Sequence, residues 1–354
     1  MSKFLKKCFS TLEAYVPGEQ PKDGEYIKLN TNESPFPPSL GVINAVNKNE
    51  VEKLRLYSDP TGSVLKGKIA ELYKVKSENV YLANGSDDIL NFSFMAFSGE
   101  QGEVAYPQIS YGFYKVFAGL YGIKAEEIPL NDDFSISSKD YYNKNKLIVI
   151  ANPNAPTGLA LGLSEIEEIL KTNRNNVVVI DEAYVDFGAE SAVKLVEKYD
   201  NLLVCQTFSK SRSMAGARLG FAIGNKELIS DLELIKYSTN PYNINRLTLV
   251  AGQAAIDDNN YYMEKCEEII KNREYTAQEL KKLGFNVIDS KANFIFAECN
   301  WIDGETLYKK LKDRRILIRH FSAEKIKNFN RITIGTKEQM ETFIKTVAEI
   351  KEEM

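Results

Sequence analysis

The sequence predicts an α/β protein: a large domain with a mostly parallel central sheet covered by helices, joined to a smaller α+β domain. Three observations predict it. The apolar runs LIVI (147–150), VVVI (177–180) and LLVC (202–205) are each of strand length, and unbroken apolar strands belong to sheets buried on both faces. Polar segments separate these runs, and SEIEEILK (164–171) between the first two has the spacing of a crossover helix. After about residue 245 the texture changes, from apolar runs to a long charged helical pattern followed by short strands. A chain of 354 residues is too long for one simple core, so two domains are expected. The large domain takes residues 32–245, and the small one takes 1–31 and 246–354.

The elements follow in order. Residues 1–31 are punctuated by Pro17, Gly18, Pro21 and Gly24, and TNESPFPPS (31–39) is a proline-rich extended loop. From Thr61 to Val75 the apolar residues Val64, Leu65, Ile69, Leu72 and Tyr73 share one helical face. SDDILNFSFMAFS (86–98) is a second, buried helix with Ser86 as N-cap and acids in its first turn. The helical pattern of the second half runs from about 250 to 284 and stops at Gly284. NVID (286–289), ANFIFAE (292–298) and RILIRHF (315–321) then predict strands, and RITIGT (331–336) leads into a last helix. GSVLKGKI (62–69) nearly matches a phosphate-binding loop, but it ends in Ile69 in place of the magnesium-holding hydroxyl. It also lies within a helical pattern, and is a chance match.

Composition removes several classes of function. The net charge is −4 with no long basic run, which argues against nucleic acid as a partner. No apolar stretch spans a bilayer, and the N-terminus lacks the apolar core of a signal peptide; a cytoplasmic protein is expected. Cys8, Cys205, Cys266 and Cys299 are scattered, as reduced structural thiols are and zinc ligands are not. His320 is the one histidine, so no two-histidine metal site exists. No G-x-S-x-G elbow accompanies it for a serine triad. A proton carrier must therefore be Lys, Tyr or a cofactor.

In a parallel sheet, ligands sit beyond the carboxyl ends of the strands. Those ends read ANPNAPTG (151–158), DEAYVDF (181–187) and QTFSK (206–210). Pyridoxal phosphate needs a lysine amine to anchor its aldehyde, a carboxylate at its ring nitrogen, a donor at its phenolic oxygen and a phosphate cradle. Lys210 follows the third strand, Asp181 and Tyr184 the second, and Asn152, Asn154 and Thr157 the first. Gly85, Ser86 and Asp87 open a helix whose free N–H groups suit a phosphate. Singly, each has a bland reading: Lys210 or Arg218 a surface cation, Asp181 a cap, Asn and Pro a turn. Their joint order, each at the end of an apolar run, outweighs those readings.

These residues resemble the fold type I pyridoxal-phosphate enzymes, the aspartate aminotransferase superfamily, and within it the branch that acts on histidinol phosphate. The resemblance covers nearly the whole chain: LEAYVPGEQP, LNTNESPFPPS, LYSDPTG, ANGSDDIL, ISYGFY, NPNAPTG, DEAYVDF, TFSKSRSMAGARLGF, ANFIFAE and RITIGT occur in family order. It implies that Lys210 carries pyridoxal 5'-phosphate and moves the substrate's α-proton, that Asp181 pairs with the ring nitrogen, and that Tyr184 donates to the phenolic oxygen. Tyr111 stacks on the ring. Gly85, Ser86 and Asp87 hold the phosphate with Ser209, Arg218 and Thr207. Tyr57 reaches the cofactor of a neighbouring subunit, so a homodimer is implied.

Arg331 matches the arginine for a substrate carboxylate, Arg319 one that holds the phosphate of histidinol phosphate, and Tyr15 lies in the segment that closes over substrate. Many relatives carry asparagine directly before PTG; here that position is Ala155, and Asn154 is expected to substitute. Asn293 and His320 receive no role. The implied reaction is amino transfer from histidinol phosphate to 2-oxoglutarate in histidine biosynthesis. The alternatives are an aminotransferase for aromatic or other amino acids, or a threonine-phosphate decarboxylase. A non-catalytic regulator on this fold would need an added DNA-binding domain and a basic helix.

Overall fold

The computed structural model describes residues 2–6, 9, 10 and 12–354; Cys8 lies outside them. The chain opens with β1 (Ile27–Lys28), α1 (Leu40–Ala45), α2 (Lys48–Glu52) and α3 (Ser63–Tyr73). The large sheet and its helices follow as β2 (Val80–Ala83), α4 (Ser86–Phe97), β3 (Glu103–Pro107), α5 (Phe113–Tyr121), β4 (Lys124–Ile128), β5 (Leu147–Ala151), α6 (Leu163–Thr172), β6 (Val178–Asp181), β7 (Leu202–Thr207), β8 (Gly220–Gly224) and α7 (Lys226–Thr239). Next come α8 (Arg246–Asp257) and α9 (Asn259–Lys282), then β9 (Phe285–Ile288), β10 (Phe294–Cys299), α10 (Gly304–Asp313), β11 (Ile316–Leu317), β12 (Arg319–His320), β13 (Asn330–Thr333) and α11 (Lys337–Glu352).

Seven strands form one sheet in the order β2-β8-β7-β6-β5-β3-β4. Only β8 runs against its neighbours. The three apolar runs of the sequence are its centre, in register: Ala151 faces Asp181, and Asp181 faces Cys205. Alternation then splits each run between two faces. Ile148, Ile180 and Val204 pack with Leu65 of α3, Ile169 of α6 and Leu249 of α8. Val149, Val179 and Leu203 pack with Leu90 of α4, Phe117 of α5 and Leu232 of α7. Burying each such side chain stabilises the fold by about 1.5–3 kcal/mol, and both faces must be covered to bury them all. Because β5, β6 and β7 are parallel and in register, the loops leaving them emerge at one edge.

The long helical pattern of the second half divides into α8 and α9 at Asp258, whose carboxylate accepts the Gly41 N–H at 3.1 Å. α8 packs on the core of the large sheet. α9 crosses to the small domain, where Cys266, Ile269 and Leu280 pack with α11 and a four-stranded antiparallel sheet, β12-β13-β10-β9. The expected strand at 315–321 is broken into β11, paired with β1, and β12, paired with β13. Residues 62–69 have no strand before them; they are the N-cap and first turns of α3, so the phosphate-loop resemblance is empty. Among the described residues no helix is long and apolar enough to cross a membrane, no three or more His, Cys, Asp or Glu side chains are grouped as metal ligands, and Cys205, Cys266 and Cys299 are free.

Candidate active site

At the carboxyl edge of the large sheet lies an inner chamber of about 130 Å³. Asp181 ends β6, Tyr184 follows it, and Lys210 follows β7; all three line it. Ser86 and Asp87 enter from α4, and Thr207, Ser209 and Arg218 from the two ends of the loop between β7 and β8. Residues as far apart in sequence as Ser86 and Arg218 meet here because the parallel strands end together.

Asp181 is 4% exposed. It accepts the Tyr114 hydroxyl at 2.8 Å and the Ala183 N–H at 3.3 Å, and no described cation lies within salt-bridge reach. Burial, chiefly, pushes its pKa up to about 6, against the opposing pull of Tyr114. Its neighbour Glu182 shows what a closed carboxylate looks like. Burial pushes it to about 7, but Ser191, the Ala192 N–H and Gln206 all donate to it within 2.8 Å. Glu182 does not line this chamber; Asp181 does.

The N-terminus of α4 differs from expectation in one respect. Gly85, not Ser86, is the N-cap, and Ser86 is the first helical residue. Gly85 has φ 86°, and a Cβ there would meet Arg218 Nη2 at 2.7 Å, so only glycine lets the guanidinium lie against the helix end. Gly220 on β8 is packed as tightly: its Cβ would stand 2.6 Å from the Gly85–Ser86 peptide. Arg218 donates to Asp87 Oδ2 at 3.0 Å, and Tyr111 donates to Asp87 Oδ1 at 2.7 Å. Thr207 and Ser209 are joined through their hydroxyls at 3.0 Å.

Tyr111, Ala155, Tyr184 and Lys210 also wall an outer chamber of about 410 Å³. Tyr15 lies on its rim, stacked on Phe113 at 4.3 Å. Its far wall carries Arg319 and Arg331, which stand opposite one another as the cross-strand pair of β12 and β13. Like charges directly opposite repel, yet among the described residues neither guanidinium has a carboxylate within 4 Å. Arg331 donates from Nη2 to the Asn30 carbonyl at 2.9 Å, its Nε–H is buried without an acceptor, and Phe294 lies 5.4 Å away. Burial pushes the Arg331 pKa down.

Two expected residues lie elsewhere. Asn154 is fully buried but faces away from the inner chamber: it accepts the Ser110 hydroxyl at 2.7 Å and donates to the Ile109 carbonyl at 3.0 Å and to Thr157. Its polar atoms tie down the 109–110 loop and it does not line the inner chamber, whereas Ala155 lines both chambers. Tyr57 is 78% exposed, stacked on Tyr242, and lines neither chamber of its own chain. His320 points to Asn330 at 3.2 Å. The sequence reading missed Tyr114, the partner of Asp181, and Asn32, whose Nδ2 donates to the Tyr184 hydroxyl at 3.0 Å. ISYGFY contains the first and LNTNESP the second; the missed signal was a polar group inside an already quoted motif.

The fold and the lysine-centred site define the class, and the chain belongs to the class I and II aminotransferase family, which it matches over residues 24–347. It is 54% identical to the histidinol-phosphate aminotransferase of Brachyspira hyodysenteriae over 348 residues, 98% of each chain. Among solved structures, it is similar to the histidinol-phosphate aminotransferase from Clostridium acetobutylicum, with TM-score 0.85, 25% identity and coverage of 93% of this chain and 100% of that one. The enzyme of that name from Sinorhizobium meliloti, solved in complex with pyridoxal 5'-phosphate, shares the fold at TM-score 0.90 with 20% identity, over 100% of this chain and 99% of that one.

Proposed function

We propose that the chain transfers an amino group between histidinol phosphate and 2-oxoglutarate, with pyridoxal phosphate as cofactor, as a cytoplasmic homodimer. One observation carries the substrate reading: Arg319 and Arg331, facing each other without carboxylate partners, share a chamber with Lys210. A planar, permanently charged guanidinium suits a carboxylate or a phosphate. Arg331 takes the carboxylate of the oxo acid, and Arg319 takes the phosphate of the amine.

The inner chamber suits the cofactor on three counts. Asp181 is a buried carboxylate lacking a cation. The α4 N-terminus, opened by glycines, offers free N–H groups beside Arg218 and Ser209. Lys210 stands in the wall between the chambers. Pyridoxal phosphate, when bound, supplies an aldehyde for the substrate amine and a protonated ring that draws electrons from the bond being broken. Asp181 keeps that ring nitrogen protonated. Tyr184 donates to the phenolic oxygen, without help from Asn154, and Tyr111 is the wall against which the ring packs. Lys210 Nζ would anchor the aldehyde carbon and, when free, would carry the proton between the substrate's α-carbon and that carbon.

The small domain and residues 1–31, with Tyr15, close over the outer chamber. The packing of α8 on the large sheet supports a small domain that begins at α9 rather than at residue 246. Tyr57, idle in its own chain, enters the partner's inner chamber.

The test uses the purified protein with added cofactor. Uptake is followed by visible absorbance and by borohydride fixation at Lys210; single amines are then offered. Histidinol phosphate is expected to change the chromophore well ahead of phenylalanine and threonine phosphate. Equal or faster response to phenylalanine overturns the role of Arg319, and a protein that takes up no cofactor overturns the whole reading.

A further inference from the structure

We propose that Asn32 is a positioning residue that makes the Tyr184 hydroxyl a donor toward the inner chamber, and so sets the proton affinity of the cofactor's phenolic oxygen. The inference rests on the cofactor reading above. Asn32 is 1% exposed and has a left-handed backbone, φ 56°. All its polar groups are engaged. Its N–H donates to Thr333 Oγ1 at 2.9 Å, and the Thr333 hydroxyl donates back to Asn32 Oδ1 at 3.0 Å. Its carbonyl accepts from Asn293 Nδ2 at 3.0 Å, and its own Nδ2 donates to the Tyr184 hydroxyl oxygen at 3.0 Å.

The direction of the last bond matters. An amide nitrogen only donates, so the Tyr184 oxygen accepts, and its one proton is left to point elsewhere. Tyr184 lines both chambers, and no other described acceptor takes that proton. The flipped amide would reverse this, but it would leave the Thr333 hydroxyl proton without its acceptor. The network therefore selects the orientation in which Tyr184 donates into the site.

The same segment is gripped by the catalytic groups. Lys210 Nζ donates to the Thr31 carbonyl at 3.2 Å, and Arg331 Nη2 donates to the Asn30 carbonyl at 2.9 Å. Thr333 lies two residues beyond Arg331 on β13, on the same face of the strand. Residues 30–32 thus link the anion-binding arginine, the lysine and the tyrosine. Asn293 and Thr333, both fully or nearly fully buried, act through Asn32.

A hydrogen bond donated to the deprotonated form of a group lowers its pKa. Losing it raises the titration midpoint of the bound cofactor, read by visible absorbance against pH. Two variants suit the backbone: Asn32→Gly, since glycine accepts the left-handed conformation, and Asn32→Asp, which tolerates it. Aspartate accepts where asparagine donates, so it turns the Tyr184 proton away from the site. The set is completed by Tyr184→Phe and both double variants.

Tyr184→Phe is expected to raise the midpoint by about one unit, and Asn32→Asp by at least as much, because a charge is added; Asn32→Gly gives a smaller rise, about half a unit. With Phe at 184, Asn32→Gly is expected to add nothing, since Asn32 acts only through the tyrosine. If Tyr184→Phe shifts the midpoint and neither Asn32 variant does, the inference falls and the cofactor reading stands. A shift from Asn32→Gly that is equally large with Phe at 184 also overturns it. If Tyr184→Phe itself changes nothing, the role of Tyr184 is wrong and the inference goes with it. Should the Asn32 variants fail to fold, Thr333→Val, which frees the amide to flip, must still raise the midpoint; wild-type titration there overturns the inference.

Discussion

The two chambers differ in how their charges are balanced. In the inner chamber the arginine is paired within the chain, Arg218 with Asp87, and the carboxylates are hydrogen-bonded by tyrosines, Asp87 by Tyr111 and Asp181 by Tyr114, with Asp181 alone lacking a cation among the described residues. They stand on the ends of buried parallel strands and on the first turn of α4. In the outer chamber two arginines face one another with no carboxylate, on short strands of the small domain, beneath an N-terminal segment. The inner arrangement suits a resident group whose place is held by a rigid scaffold. The outer one is incomplete until an anion arrives, which suits a substrate that must leave again.

The largest effect should follow from removing the group the chambers share. Lys210→Ala is expected to lower kcat by about 10⁴-fold, the upper end for a positioned proton carrier, with an unchanged circular dichroism spectrum. Turnover within tenfold of wild type would dissolve the distinction between the chambers.

Next comes the inner carboxylate. Because the folded-state pKa of Asp181 is raised to about 6, the folded protein holds this proton more tightly than the unfolded chain. Its contribution to stability is full below pH 3.8 and is lost as pH rises through 6. A shift of roughly two units corresponds to at most about 3 kcal/mol. Urea unfolding of cofactor-free protein between pH 4 and 8 should show this fall, and Asp181→Asn should remove it. Glu182, raised to about 7, keeps a residual slope of the same sign in both. A cationic ring nitrogen should abolish the Asp181 component, so wild type and Asp181→Asn that differ equally with and without cofactor would contradict the pairing.

The outer chamber should respond selectively. Arg331→Gln is expected to reduce kcat/KM for the oxo acid by about 10–100-fold, the range for a hydrogen bond to a charged group, measured in the half-reaction with 2-oxoglutarate. Arg319→Gln should leave that half-reaction nearly untouched and weaken the phosphate-bearing amine by about tenfold. If both variants impair both halves equally, the two arginines do not divide the anions. The smallest effect is expected at Asn154. Asn154→Ala should lower stability by about 1 kcal/mol and leave the cofactor dissociation constant nearly unchanged, because its bonds are to the 109–110 loop.

Much of the large domain was legible because its central strands carry a signal of their own. LIVI, VVVI and LLVC can only be strands with both faces covered, and their polar exits had to lie together. The outer strands had no such signal. β4, KAEEI, is largely exposed, and β8, GFAIG, is mostly small residues. The split of the 250–284 pattern at Asp258 was hidden because helical periodicity continues across it, and the break depends on Gly41, more than 200 residues away. The cap at Gly85 was misassigned for a similar reason: Ser86 with two acids is a good N-terminus locally, but the positive φ at 85 and the approach of Arg218 favour glycine at the cap.

The sequence by itself determined the chemistry available: one lysine, one carboxylate and one tyrosine at the ends of successive apolar runs, and too little histidine for other routes. Residue type and spacing are local properties, so they can be read along the chain. Only the tertiary structure decided how those groups are oriented. Asn154 and Asn32 are both buried asparagines in quoted motifs, yet one is turned to a loop and the other to Tyr184. Which way an amide points depends on the donors and acceptors that folding brings against it, Ser110 in one case and Thr333 in the other.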